Sequence, residues 1–225
     1  MEGKKFNPYL IIIVVLVLAV VVFAYDKWGN GFLPASVNTD NVNNNPSVVD
    51  TKVSDSDIVI GSVDAPVTIV EYFSYFCGYC KLFHDEIYPN IVEKYISTGK
   101  VKMVIRVFPP VELGASLLCA QEQDKFTEFH NLLYEKSNEI EKIEDIVVIA
   151  ETLGLNKDEF SQCLINEDKL KIAENWYNQG QKDFENAGVP EEQRGTPTFL
   201  VNGEIMIGAQ PFESFVEVIE RKLTE

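Results

Sequence analysis

A chain of 225 residues, 46% of them hydrophobic, has room for one domain of ordinary size and enough apolar side chains to bury a core. With 35 Asp and Glu against 19 Lys and Arg, the formal net charge is −16 and the pI near 4.5; such a surface repels phosphate backbones, and no block of Lys or Arg overturns that, so nucleic-acid binding is set aside. Four cysteines are too few for a disulfide scaffold at this size but enough for one working pair and one structural pair.

The first segment, Tyr9 to Tyr25 (YLIIIVVLVLAVVVFAY), carries no charge; Lys4 and Lys5 precede it, and Asp26 and Lys27 follow. As a helix it would span roughly 26 Å, near the lower limit for crossing a bilayer. No face of it is polar, which argues against a buried core helix. Val22-Phe23-Ala24 could pass as a cleavage site, but the apolar run is long for a signal peptide. The reading taken is a single-pass anchor at 9–25 in the cell membrane. The Lys pair keeps residues 1–8 cytoplasmic and the rest is exported. Residues 26–57, rich in Asn with Ser, Asp and Pro, hold no strand or helix period and read as a solvated linker.

From Ile58 the pattern is that of a folded domain, 58–225. DIVIG is a short strand candidate, Asp64–Pro66 a turn, and Val67–Phe73 (VTIVEYF) a buried strand. From about Gly78 to Thr98 apolar residues recur at helical spacing, with Pro89 expected to kink the helix and Gly99 to end it. Val101–Phe108 is the next strand, stopped by Pro109-Pro110, which makes a β-α-β unit with parallel strands. An insert at about 112–190 then reads as several helices. Thr198–Val201 and Glu204–Ile207 flank Asn202-Gly203, a two-residue hairpin signal, and PFESFVEVIERKL closes the chain as an amphipathic helix.

The chemistry sits in Cys77-Gly78-Tyr79-Cys80, at the junction of strand and helix. There the first sulfur meets the free N–H groups and the dipole of a helix start, which stabilise a thiolate, and the second lies about one turn on, within reach of a disulfide. The thiolate is the attacking species in thiol–disulfide exchange. A zinc half-site competes, but zinc needs two more ligands. Cys119 and Cys163 are 44 residues apart, and His84 and His130 read as polar residues on their helices. An inert crosslink competes too, yet a bridge over two residues constrains little. Cys119 and Cys163 both fall in the helical insert. As free thiols they would be small apolar groups; in an oxidising compartment the reading taken is that they pair, contributing roughly 4 kcal/mol on the chain-entropy model.

VEYFSYFCGYCKLFH and RGTPTFLVNG, with a long helical insert between them, resemble the exported DsbA-like disulfide oxidoreductases of the thioredoxin superfamily, over about Ile58 to Leu223. The resemblance implies an α/β thioredoxin fold with a helical insertion. It makes Cys77 the exposed nucleophile and Cys80 the resolving thiol. Thr196-Pro197 becomes a cis-proline loop against the active site, where a backbone edge beside Gly78 and Tyr79 takes an extended substrate chain. Glu71 falls where this fold commonly places a buried acid, whose raised pKa suits it to relay a proton to Cys80; the alternative is an acid facing water.

The function expected is a membrane-anchored thiol–disulfide oxidoreductase that forms or rearranges disulfides in exported proteins, with no cofactor beyond the Cys77–Cys80 pair and no metal. Its partners would be exported proteins and a membrane redox partner that resets the pair. Gly-Tyr between the cysteines is seen in disulfide isomerases of the family, whereas strong oxidases often carry Pro-His, so net direction stays open. Reduction of exported disulfides is one alternative; a thioredoxin-fold binding or chaperone module without turnover is the other.

Overall fold

The computed structural model describes Val49 and residues 53–225. The anchor expected at 9–25 and most of the linker lie outside the described residues, among which no helix is long and apolar enough to cross a membrane.

Five strands form one mixed sheet: β1 (Ile58–Ile60), β2 (Val67–Phe73), β3 (Val101–Val107), β4 (Thr198–Val201) and β5 (Glu204–Ile207), in the order β1-β3-β2-β4-β5. β2 and β3 run parallel, with Val67 opposite Val101 and Phe73 opposite Val107, while the other three pairings are antiparallel. Both faces of the sheet are covered, which is why the central strands are near-continuous apolar runs rather than alternating ones. On the first face Ile69, Phe73, Met103, Ile105, Phe199 and Val201 enter the main core. On the second, Val70, Tyr72, Val104 and Leu200 form a smaller one.

The helix after β2, α1 (78–96), is not uniform: α-helical Gly78–Leu82 and Tyr88–Ile91 alternate with π-helical Phe83–Ile87 and Val92–Ile96. Pro89 lacks an N–H and its ring crowds the carbonyl one turn back. The chain accommodates it by widening the preceding turn, where the Tyr88 N–H donates to Phe83 O, five residues back. The helix stops two residues short of the expected Thr98. Gly99, at φ +72°, donates to Ile96 O and Lys100 to Tyr95 O, the paired closing bonds of a glycine-terminated helix.

The insert holds α2 (Val111–Glu122), α3 (Phe126–Lys136), α4 (Ile143–Thr152), α5 (Lys157–Leu164) and α6 (Glu167–Asn186). Asn156 and Asn166 cap α5 and α6, each side-chain oxygen accepting from two N–H groups. α2 is buried from Leu113 to Ala120 and is the hub of the insert. Cys119 on α2 and Cys163 on α5 are joined by a disulfide, with Cα atoms 5.8 Å apart. The last helix, α7 (Phe212–Lys222), lays Phe215, Val218 and Ile219 on the core.

The boundary of the linker at 57 moves. Asp57 is buried, accepting from Arg106 Nε at 3.0 Å and from a terminal Arg106 nitrogen at 2.8 Å. Further back, the Val49 N–H donates to Gly203 O and its side chain joins the second core. Segment composition could not show this, because the partners come from β3 and the hairpin.

Candidate active site

Cys77 sits where β2 gives way to α1. Its own backbone is extended (φ −94°, ψ 117°), it occupies the N-cap position, and its carbonyl accepts from the Lys81 N–H. The sulfur is therefore placed beside the unpaired N–H groups of the first turn. The Cys77 thiol is partly exposed and 3.1 Å from the Thr196 carbonyl; Cys80 is fully buried, its Sγ 3.5 Å from the Ser74 N–H. Both are free thiols.

The surroundings drive the two sulfurs apart. Burial alone would raise the Cys77 pKa, but hydrogen bonds from the Thr196 side chain, from Cys80 and from the Tyr79 backbone outweigh it and lower it below the usual thiol value. For Cys80 burial dominates, and the Ser74 N–H and Thr196 side chain do not offset it. The negative charge on Glu71 adds to the effect, so this thiol holds its proton firmly. A readily ionised thiol and a poorly ionised one thus share a single helical turn.

The loop facing them carries a cis peptide bond at Thr196–Pro197. It is pinned from both sides: Thr198 Oγ1 donates to Gly195 O at 2.8 Å and the Gly208 N–H to Pro197 O at 2.8 Å. An added Cβ at Gly78 or Gly195 would meet nothing within 4 Å, so packing does not force glycine at either place.

Glu71 lies in the middle of β2, between Ile105 and Phe199 on the neighbouring strands, and is 3% exposed. It does not face water. No cation answers it across the sheet, its Oε1 is buried without a hydrogen-bond partner, and burial pushes its pKa up to about 8. A crevice lined by Phe83, His84, Tyr88, Ile105, His130 and Tyr134 adjoins it and is too narrow for a water molecule.

Composition and spacing did not single out this aromatic cage. His130, read as a polar residue on its helix, is 5% exposed, and burial, with His84 nearby, lowers its pKa to about 3. Tyr75 keeps its proton because burial and Glu71 both oppose its ionisation. Its hydroxyl shares a hydrogen bond of 2.6 Å with Nδ1 of the neutral His130. The signal was present: Phe126, His130 and Tyr134 repeat every four residues along α3, and Glu71, Phe73 and Tyr75 share one side of β2 and its extension. Among the described residues no three His, Cys, Asp or Glu side chains converge as a metal site.

Seven of the residues singled out in the sequence thus gather at one end of the sheet: Glu71, Cys77, Gly78, Tyr79, Cys80, Thr196 and Pro197. Cys119 and Cys163 form their own bond within the insert.

Residues 53–221 match the family described as Thioredoxin. A Rickettsia felis protein, provisionally named a protein-disulfide oxidoreductase, is 30% identical over 203 residues, 85% of this chain and 69% of that one. Disulfide bond formation protein D of Bacillus subtilis is 28% identical over 172 residues, covering 73% of this chain and 76% of its own length. The crystal structure of Wolbachia pipientis alpha-DsbA1 superposes with a TM-score of 0.65 at 23% identity, over 76% of this chain and 93% of that one, and so shares the fold. With a family match over most of the chain and relatives named for disulfide chemistry, the chain belongs to the DsbA-like oxidoreductases of the thioredoxin superfamily.

Proposed function

We propose that this chain forms or rearranges disulfides in exported proteins, anchored to the cell membrane by residues 9–25, with Cys77 as the attacking sulfur and Cys80 as the resolving one. One observation carries the assignment: Cys77 is partly exposed at a helix N-cap with a lowered pKa, while Cys80, three residues on, is buried with a raised one. When the pair is oxidised, a substrate thiolate attacks Cys77 Sγ, the Cys77–Cys80 bond breaks, and Cys80 leaves as a thiolate. A second substrate thiolate then attacks its own sulfur in the mixed disulfide and expels Cys77, leaving the substrate oxidised and the pair reduced by two electrons. When the pair is reduced, Cys77 thiolate attacks a substrate disulfide, and Cys80 breaks the resulting mixed disulfide or the substrate reshuffles out of it.

Glu71 fits the Cys80 half of either route. Near neutral pH it is mostly protonated, so it can give its proton to departing Cys80, which holds one tightly; the carboxylate takes it back in reverse. Thr196 and Pro197 lie beside Cys77 as the backbone edge along which an extended substrate docks, with Gly78 and Tyr79 on the opposite lip. The redox group is the cysteine pair itself, without a further cofactor. A membrane redox partner resets the pair, which suits a membrane-anchored chain.

The test is pulsed alkylation of the reduced protein at pH 7, read by mass spectrometry. Cys77 is expected to label at least about tenfold faster than Cys80. Oxidation of a dithiol peptide is expected to vanish in Cys77→Ser. Equal labelling of the two sulfurs, or turnover that survives that substitution, rejects the assignment.

A further inference from the structure

To serve Cys80 more than once, Glu71 must exchange protons with solvent, yet it is buried in mid-strand with Oε1 unpartnered. The crevice that adjoins it is too narrow for water to carry the proton. Of the described residues lining that crevice, Phe83, Ile105, His130 and Tyr134 are buried as well, while His84 and Tyr88 reach the surface. Burial and the Glu71 charge push the Tyr88 pKa up to about 12, so its hydroxyl does not release a proton near neutrality. His130 is held neutral, its Nδ1 engaged by Tyr75. The remaining way out is the imidazole of His84.

That ring is set to take and release a proton. On α1 its Nδ1 is 3.1 Å from Asp85 Oδ1, of a carboxylate that Lys81 also holds. Towards α3 its Nε2 is 3.1 Å from Asn131 Oδ1. An amide accepts from the protonated ring through its oxygen and, turned over, donates to the neutral ring through its nitrogen. The link between the two helices therefore survives either state of the imidazole. The other titratable groups facing the ring are Tyr88 of α1, Tyr134 and His130 of α3 and, across the crevice, Glu71 of β2. The Tyr134 ring lies closest, at 4.2 Å between centroids.

We infer that His84 carries the proton of Glu71 to and from solvent, a positioning residue that acts on Cys80 only through that acid. When Cys80 attacks a mixed disulfide at Cys77, its thiol proton goes to the Glu71 carboxylate, which has first passed its own to neutral His84. The imidazolium then loses that proton to water. The bond between Cys77 and the substrate sulfur breaks, the Cys77–Cys80 bond forms, and the substrate leaves as a thiolate. In the opposite direction departing Cys80 takes the proton of Glu71, and His84 refills the acid from solvent. The inference rests on Glu71 serving Cys80, and adds the residue that serves Glu71.

The test follows the attack of Cys80 in a single turnover. Reduced protein is loaded at Cys77 in acid with glutathione, supplied as its mixed disulfide with 5-thio-2-nitrobenzoate, and then brought to neutral pH. Closure of the Cys77–Cys80 bond is read by quenching and mass spectrometry, relative to the alkylation rate of Cys77 in the same variant. His84→Gln keeps a hydrogen-bonding side chain but does not titrate, and closure is expected to slow at least about tenfold. His84→Ala is expected to be as slow, and to recover several-fold in added imidazole but not in chloride at the same ionic strength. In Glu71→Gln, itself slow, adding His84→Gln should cost nothing more, because the two residues act in one path. Unchanged closure in His84→Gln, a His84→Ala loss that imidazole does not restore, or full additivity in the double variant overturns the His84 route and leaves the role of Glu71 standing. Unchanged closure in Glu71→Gln overturns the relay itself, and His84 with it.

Discussion

The carboxyl of Glu71 is the residue on which the local electrostatics turn. In the folded chain it stays protonated to about pH 8, against an ordinary value of 4.5. Between those values the unfolded chain has released a proton that the folded chain still holds. Stability therefore falls as pH rises through that window and levels off above it. His130 acts in the opposite sense: held neutral down to about 3, it withdraws stability as pH falls below 6.5. Glu71→Gln removes the first effect and leaves the second. The fall in unfolding free energy from pH 5 to pH 8, read from urea titrations at each pH, is expected to shrink by on the order of 3 kcal/mol relative to wild type. An identical pH slope in the two proteins would mean that Glu71 titrates as a solvated acid.

At the scale of helices and strands, α2 and α6 are held together by a close approach that only a small residue allows. A Cβ placed on Gly114 would come 2.7 Å from the Cβ of Ala173 and 3.4 Å from the Trp176 ring. Gly114→Ala therefore forces two packed helices apart, and despite its better helix propensity it is expected to destabilise the domain by about 1–3 kcal/mol, seen as a lower urea midpoint with an unchanged slope. The strands were the most legible elements in the sequence. Val67–Phe73, Thr198–Val201 and Glu204–Ile207 end where read, because Pro, Gly and Asn bound runs of β-branched and aromatic residues. Cys77, Cys80 and Thr196-Pro197 were legible too, since their chemistry is local to two short motifs. The π turns of α1, the burial of His130 and the inward placement of Asp57 were not. The last two depend on partners distant in sequence: Tyr75 for His130 and Arg106 for Asp57.

For the molecule as a whole, the Cys119–Cys163 bond closes a separation of 44 residues and joins the hub helix α2 to α5. On the chain-entropy model that closure is worth roughly 4 kcal/mol. The double substitution to Ser is expected to lower the unfolding free energy by about 2–4 kcal/mol. Dithiol oxidation per folded molecule should be retained, because neither sulfur belongs to the Cys77 site; loss of turnover in protein shown to be folded would contradict that separation. The second face of the sheet has a consequence of another kind. There Arg106 grips the Asp57 carboxylate with two hydrogen bonds and gives a third to the Tyr72 hydroxyl, which in turn donates to Asp183 on α6. Asp57 is the second point at which the N-terminal chain is tied to the fold, inward of the Val49 bond to Gly203 O. A pull that frees Val49 meets Asp57 next, on a rivet through sheet and insert together, and the load is borne behind the sheet, away from the face that carries the sulfurs.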